Sequence, residues 1–138
     1  MKIIGGKVTS VKAERLNGQE FKGFEVNVRI IDVKDAGKNL DINYQYINKY
    51  QDAYAELDIK GVINVEFDAK EKKMVLDEWA KAKQLPMAIA EEVLMAVNYS
   101  TSTVGTLLAF AINVNSPINV SRTRIMPPSP QLPGQKAS

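Results

Sequence analysis

The side chains able to do covalent or acid–base chemistry in this 138-residue chain are few and poorly arranged for it. It has no cysteine and no histidine. Disulfides, thiolate metal sites, cysteine nucleophiles and the commonest general base and metal ligand are therefore all missing. Asp32 and Asp35 flank an expected turn. Asp77 and Glu78 are adjacent on an expected helix, where neighbours diverge by about 100° and make a poor acid/base or metal dyad. The serines at 100 and 102 lack a histidine or a suitably spaced lysine to activate them. Gly5-Gly6 stands alone near the start, and Gly18 and Gly23 read as turn or strand-end residues, so no loop here is built to cradle phosphate. The expectation is a protein without catalysis, metal or cofactor.

What the composition does offer is chemistry of contact. Tyr44, Tyr46, Tyr50 and Tyr54 crowd around one expected strand and its following loop. An apolar ring with a polar tip suits a surface that binds extended chains. Far along the sequence, Leu107, Leu108, Phe110 and Ile112 end an apolar helix whose exit must recross the sheet to reach Pro117. Together these eight residues are the candidate polypeptide-binding site, a trough between sheet and crossing segment. The competing reading puts Tyr44 and Tyr46 in the core, plugs the loop with Tyr50 and Tyr54, and buries Leu107, Leu108 and Phe110.

The elements that would position them follow from period. Ile3–Leu16 reads as a first strand, with Val8 and Val11 out of strict alternation, as a bulge would make them. Asn17-Gly18 is a turn dipeptide that predicts a hairpin to a second strand, Phe21–Val33. Lys34–Lys38 is a turn, and Leu40 to about Asn48 or Lys49 is a third strand. From Ala55 to Phe67 the alternation runs without a slip, which predicts an antiparallel sheet with one buried and one wetter face. The period then changes to three and four. Lys73–Lys83 is a short amphipathic helix carrying Trp79, and Gln84-Leu85-Pro86 interrupts it before a long helix. The fold class expected is α+β, four antiparallel strands followed by a short and a long helix.

Between Val93 and Ser121 there is no charged residue, although charged residues make up 25% of the chain. The unbroken apolar segment Leu107–Ile112 is far short of the ~20 residues of a membrane span, so cover by protein is expected instead. Ile89, Val93, Val97, Ser100, Val104, Leu107 or Leu108, and Ala111 make one stripe at helical spacing. Leu94, Met95, Asn98, Ser102 and Gly105 make a second uncharged face, the candidate oligomer interface. The Ser/Thr run is poor in helix propensity, so a break near Ser100–Thr106 is anticipated.

A net charge of +2 gives no argument for nucleic acid, since acids are mixed into lysine-rich patches such as Lys70–Lys73. The N-terminus lacks the apolar core of a signal peptide, which makes the cytoplasm the expected location and membrane insertion unexpected. Residues 1–125 read as one domain and 126–138, with its prolines, as a flexible tail.

Taken together, these features resemble a known family. Four strands, a short helix and a long helix opening after Leu85-Pro86 look like the SecB export-chaperone fold. Leu85-Pro86-Met87-Ala88-Ile89-Ala90-Glu91-Glu92-Val93 is similar to that family's helix start, and Ser116-Pro117-Ile118-Asn119-Val120 to its extended segment after the helix. Val97-Asn98-Tyr99, Leu107-Leu108-Ala109-Phe110 and the later prolines look closest to archaeal-type SecB-like proteins. The likeness covers roughly Phe21 to Ile125. It departs from the bacterial chaperone in a longer Pro86–Pro117 stretch and in lacking a terminal helix and an acidic surface for the translocation ATPase. The resemblance implies an ATP-independent holdase for non-native polypeptides, assembled as a dimer of dimers, with protein export as one role. A dedicated antitoxin chaperone, or an oligomeric adaptor that binds nothing unfolded, would use the same features.

Overall fold

In the computed structural model of the chain, residues 1–17 and 22–116 are described. Alternating apolar residues build four antiparallel strands: β1 (Lys2–Arg15), β2 (Phe24–Ala36), β3 (Asn39–Tyr50) and β4 (Ala55–Glu66). Two helices follow, α1 (Ala69–Ala82) and α2 (Met87–Ala111). Both lie on the sheet face that carries the apolar set. There Leu40 pairs with Val65, Ile42 with Ile63, Tyr44 with Gly61 and Tyr46 with Ile59. The opposite face is polar: Arg29 donates to Gln45, Gln45 to Asp58, and Asn64 to Asp41.

The strand order is β1-β4-β3-β2. The hairpin expected at Asn17-Gly18 is therefore not formed, because β1 and β2 are the two edges of the sheet with β4 and β3 between them. Asn17 instead serves the β3–β4 connection. Its amide donates to the carbonyls of Asp52 and Ala53 at 2.7 and 2.8 Å. Leu16 N–H donates to the carbonyl of Tyr54 at 3.0 Å. Asp52 and Ala53 hold φ values of 56° and 52°, a conformation side chains adopt only under restraint. Asn17 supplies part of that restraint. Gly18 and Phe21 lie outside the described residues, and β2 begins at Phe24.

The bulge anticipated around Val8 and Val11 is present, as a register shift between Val8 and Ser10. It returns both valines to the helix side of the sheet. A second bulge in β1 falls between Ile3 and Gly5, and one in β2 between Ile30 and Asp32 aligns Ile30 and Val33 on the same face. The turn after β2 is shorter than expected, since the strand runs to Ala36 and closes through Gly37-Lys38. Gly37, at φ 80°, takes the left-handed conformation that a tight hairpin turn demands.

α1 begins one turn before the expected Lys73, because Asp68 caps it: the Asp68 carboxylate accepts from Glu71 N–H at 2.7 Å. That bond is the main reason the carboxyl stays below its ordinary pKa. The helix buries Val75 and Trp79. Lys72 ties it to the β2–β3 hairpin, 2.6 Å from the Asp35 carboxylate and in a hydrogen bond with the Gly37 carbonyl. Lys83 then ends it in the left-handed conformation, and Pro86 precedes α2.

α2 runs unbroken through Ser100–Thr106, where a break was anticipated. The run's hydroxyls bond back to the helix, Thr101 to the Val97 carbonyl and Thr106 to the Ser102 carbonyl. Its buried line also differs from the expected stripe. Ile89, Val93 and Val97 agree with it, but the line continues through Thr101, Gly105 and Ala109. Each step of four overshoots a full turn by about 40°, so the buried line slants around the helix as it crosses the twisted sheet. Gly105 is consequently buried on this chain's own sheet rather than on an open face. Ser100 and Val104 are half-buried, and Leu107 and Ala111 are exposed.

The proline-rich tail, 126–138, and the segment from Pro117 onward lie outside the described residues. By length and composition α2 is also apolar enough to be a candidate membrane span. In this fold its slanting stripe packs on the sheet.

Candidate functional site

The four tyrosines sit on the helix side of the sheet and are buried, Tyr44 with 1% of its surface exposed and Tyr50 with 3%. Strand parity explains this: positions 44, 46 and 50 of β3 share the face of Leu40 and Ile42. The competing reading of the tyrosines is the one that describes their placement, and none forms an open surface. Tyr44 packs in the cluster under the first half of α2, and Tyr50 and Tyr54 in a second cluster with Leu57, Ala109 and Val114. Phe24, Tyr50 and Tyr54 form a chain of tilted rings 5.7 and 6.0 Å apart. The Arg15 guanidinium lies 5.3 Å over Tyr54. Burial pushes the Tyr50 hydroxyl up to about 12, and that hydroxyl donates to the Asn115 carbonyl. Tyr50 and Tyr54 are thus covered by Ala109, Val114 and Asn115, and the segment from Pro117 onward lies outside the described residues.

The four residues at the far end of α2 divide. Leu108 and Ile112 pack against the second cluster. Leu107 and Phe110 face outward, 64% and 65% exposed.

Two open concave surfaces lie along the flanks of α2. One, about 640 Å³, runs between α2, the end of α1 and edge strand β2. Val28, Ile30, Trp79, Leu85, Met87 and Leu94 supply its apolar walls, and Glu78 and Lys83 its charges. The other, about 610 Å³, lies between α2 and edge strand β1, with Ile3, Gly5, Gly6, Met95 and Tyr99 in its lining. Leu94 and Met95, expected on one face, are thus on opposite flanks. Met95 is 72% exposed and Tyr99 85%. Asn98 is exposed as well, while Ser102 is half-buried and its hydroxyl donates to the Tyr99 carbonyl at 2.9 Å.

Sequence reasoning missed the walls of the first groove. Trp79, Leu85 and Met87 come from three consecutive pieces of chain, the end of α1, the joint and the start of α2. The signal was present in the Lys83–Pro86 interruption: a helix that stops and restarts leaves a notch, and here Leu85 lines it. Among the described residues no three acidic side chains stand together as metal ligands would.

A solved structure from Mycobacterium tuberculosis, the Rv1957 SecB-like chaperone in complex with a ChAD peptide from the Rv1956 HigA1 antitoxin, is similar to this chain. It matches with a TM-score of 0.60, over 83% of this chain and 82% of that one. The fold is SecB-like. The α+β class expected from the strand pattern, a four-stranded antiparallel sheet followed by two helices, is the class found. The sequences are 9% identical, so the likeness carries the SecB-like fold and assigns no residue a role. No protein-family model and no curated protein matches the sequence.

Proposed function

We propose that this protein is an ATP-independent chaperone that holds non-native polypeptides in the groove between α2 and β2. The observation that carries this reading is the groove's construction: an apolar trench whose wall is a free sheet edge. Among the described residues β2 pairs only with β3, so its outer N–H and C=O groups can pair with an extended client strand. Alternate client side chains would then point past Val28 and Ile30 toward Trp79, Leu85 and Leu94. Glu78 and Lys83 at the rim keep an empty groove wet and discriminate little between clients, as a holdase needs. The absence of cysteine and histidine agrees with a function that needs no turnover. The likeness in fold to a SecB-like chaperone in complex with a peptide supports it.

A second reading, one dedicated antitoxin client, is favoured by that same peptide's origin in an antitoxin. We also propose self-association as a dimer of dimers through the Met95 and Tyr99 flank, and a soluble, cytoplasmic protein; export is one setting in which such a holdase would serve.

The test is suppression of aggregation of a chemically unfolded protein, without nucleotide, at stoichiometric chaperone. Wild type should suppress it, and Leu94→Glu with Val28→Glu should abolish the effect while the fold is retained. Equal suppression by that double variant would remove the groove from the function. No suppression by wild type would leave the adaptor reading standing.

A further inference from the structure

The apolar packing beneath α2 comes in two pieces. Val93 and Val97 belong to a cluster with Tyr44, Ile63 and Val65, whereas Ala109 belongs to a separate one with Tyr50, Tyr54 and Leu57. Between them the fully buried positions of the helix are Thr101 and Gly105, with Ser100 and Val104 half-buried beside them. Along β3, between Tyr44 of one cluster and Tyr50 of the other, lies Asn48. Its side chain is fully buried, and among the described residues neither carboxamide atom has a hydrogen-bond partner. A buried amide in that state weakens the packing around it.

The same part of α2 is locally soft. Thr101 Oγ1 donates to the Val97 carbonyl at 2.7 Å, Ser102 Oγ to the Tyr99 carbonyl at 2.9 Å and Thr106 Oγ1 to the Ser102 carbonyl at 2.8 Å. Hydroxyls bonding back to the preceding turn compete with the helix ladder and favour bending, and Gly105 adds backbone freedom. Besides the packing of Ala109 and Val114, sheet hydrogen bonds hold the far end, among them Tyr50 hydroxyl to the Asn115 carbonyl and Arg15 Nη1 to the Asn113 carbonyl at 3.4 Å.

We propose that Thr101–Gly105 is a hinge, about which Thr106–Ala111 lifts from the sheet as a unit while Ile89–Val97 stays docked. Lifting uncovers Tyr50, Tyr54 and Leu57 together with the Asn48 carboxamide, with the Tyr50–Asn115 bond as the latch. What enters rests on the chaperone reading above: an extended apolar client segment, whose peptide group pairs with the Asn48 donor and acceptor as another peptide group would.

Hydrogen exchange on the full chain tests the hinge without any client. Amides of Leu107–Ala111 should exchange at least about tenfold faster than those of Val93–Val97. Asn48→Leu, which makes the seam apolar, should slow the distal set alone, and Tyr50→Phe, which removes the latch, should speed it. If Asn48→Leu does not fold, Thr101→Val makes the same comparison at nearly unchanged shape. Equal exchange in the two halves, or a distal rate that ignores these variants, overturns the hinge. With a reduced, carboxymethylated protein as the client, the closed variant should bind at least about fivefold more weakly than wild type. Unchanged binding overturns the client's use of the hinge. A wild type that binds no client overturns the chaperone reading, while the exchange pattern still judges the hinge.

Discussion

Gly61 faces Tyr44 across the β3–β4 pair, and a Cβ at that position would lie 2.6 Å from the tyrosine's Cζ and 2.7 Å from the Lys7 carbonyl oxygen. The smallest residue of β4 is therefore the space for the most deeply buried ring of β3. Gly61→Ala should cost about 3 kcal/mol by forcing the ring and the β1 backbone apart. Tyr44→Phe in the same chain should restore part of it, and chemical denaturation of the two variants decides the point. Tyr50 makes a different prediction. Its folded-state pKa, raised by burial to about 12, exceeds the ordinary value of about 10. Above about pH 10 the unfolded chain releases this proton and the folded chain does not, so stability present below that pH falls as pH rises toward the folded value. Alkaline unfolding should therefore be steep in wild type and flatter in Tyr50→Phe. A pH profile of thermal midpoints that is identical for the two would remove Tyr50 as the cause.

At the scale of elements, α1 is fastened by carboxylates at both its contact and its cap. Asp35 is held below its ordinary pKa chiefly by the hydrogen bond from Lys72, and Asp68 chiefly by the bond from Glu71 N–H. A depressed carboxylate pKa stabilises the fold above the ordinary value, and that contribution disappears as pH falls through the folded value. Below about pH 4 α1 should loosen ahead of the sheet, and Trp79, the single tryptophan, should report it by fluorescence. Asp35→Asn with Asp68→Asn, which keeps a capping side chain, should lose this acid transition; its persistence would place the loosening elsewhere. The elements also show what could be read in advance. Strands were legible where one face is wet and the other dry, as from Ala55 to Phe67, because alternation records that asymmetry residue by residue. The misplaced valines of β1 even revealed their bulge. The partner of β1 was not legible: Asn17-Gly18 has local turn chemistry, but pairing with β4 is a long-range choice that local chemistry does not encode. The phase of α2 was legible up to Val97 and lost where Thr101 and Gly105 replace apolar residues on the buried line. The tyrosines misled for a related reason. An amphipathic ring looks the same in sequence whether its hydroxyl meets a client or, as with Tyr50, a carbonyl of its own chain.

At the scale of the whole molecule, the protomer leaves unlike surfaces on the two sides of α2. On the β1 side, Met95 and Tyr99 stand almost fully exposed beside Ile3, and Val8 and Val11 of the edge strand are exposed as well. A monomer in water gains nothing from a contiguous apolar patch of that kind, and burial against a second copy removes it. On the β2 side, Leu94 joins the proposed client groove, which must stay open in any assembly that binds clients. The two neighbouring residues of α2 should therefore separate assembly from binding. Wild type is expected to run as a homo-oligomer in light scattering. Met95→Glu should lower its mass toward that of the 15.3 kDa chain, since an unpaired charge in a subunit interface costs several kcal/mol (about 3–5 by analogy with broken buried pairs). Leu94→Glu should keep the wild-type mass and lose client binding, because its charge falls in the groove rather than between subunits. A monomeric wild type would end the assembly reading. The reverse outcome, with Leu94→Glu splitting the oligomer and Met95→Glu leaving it whole, would exchange the roles of the two flanks.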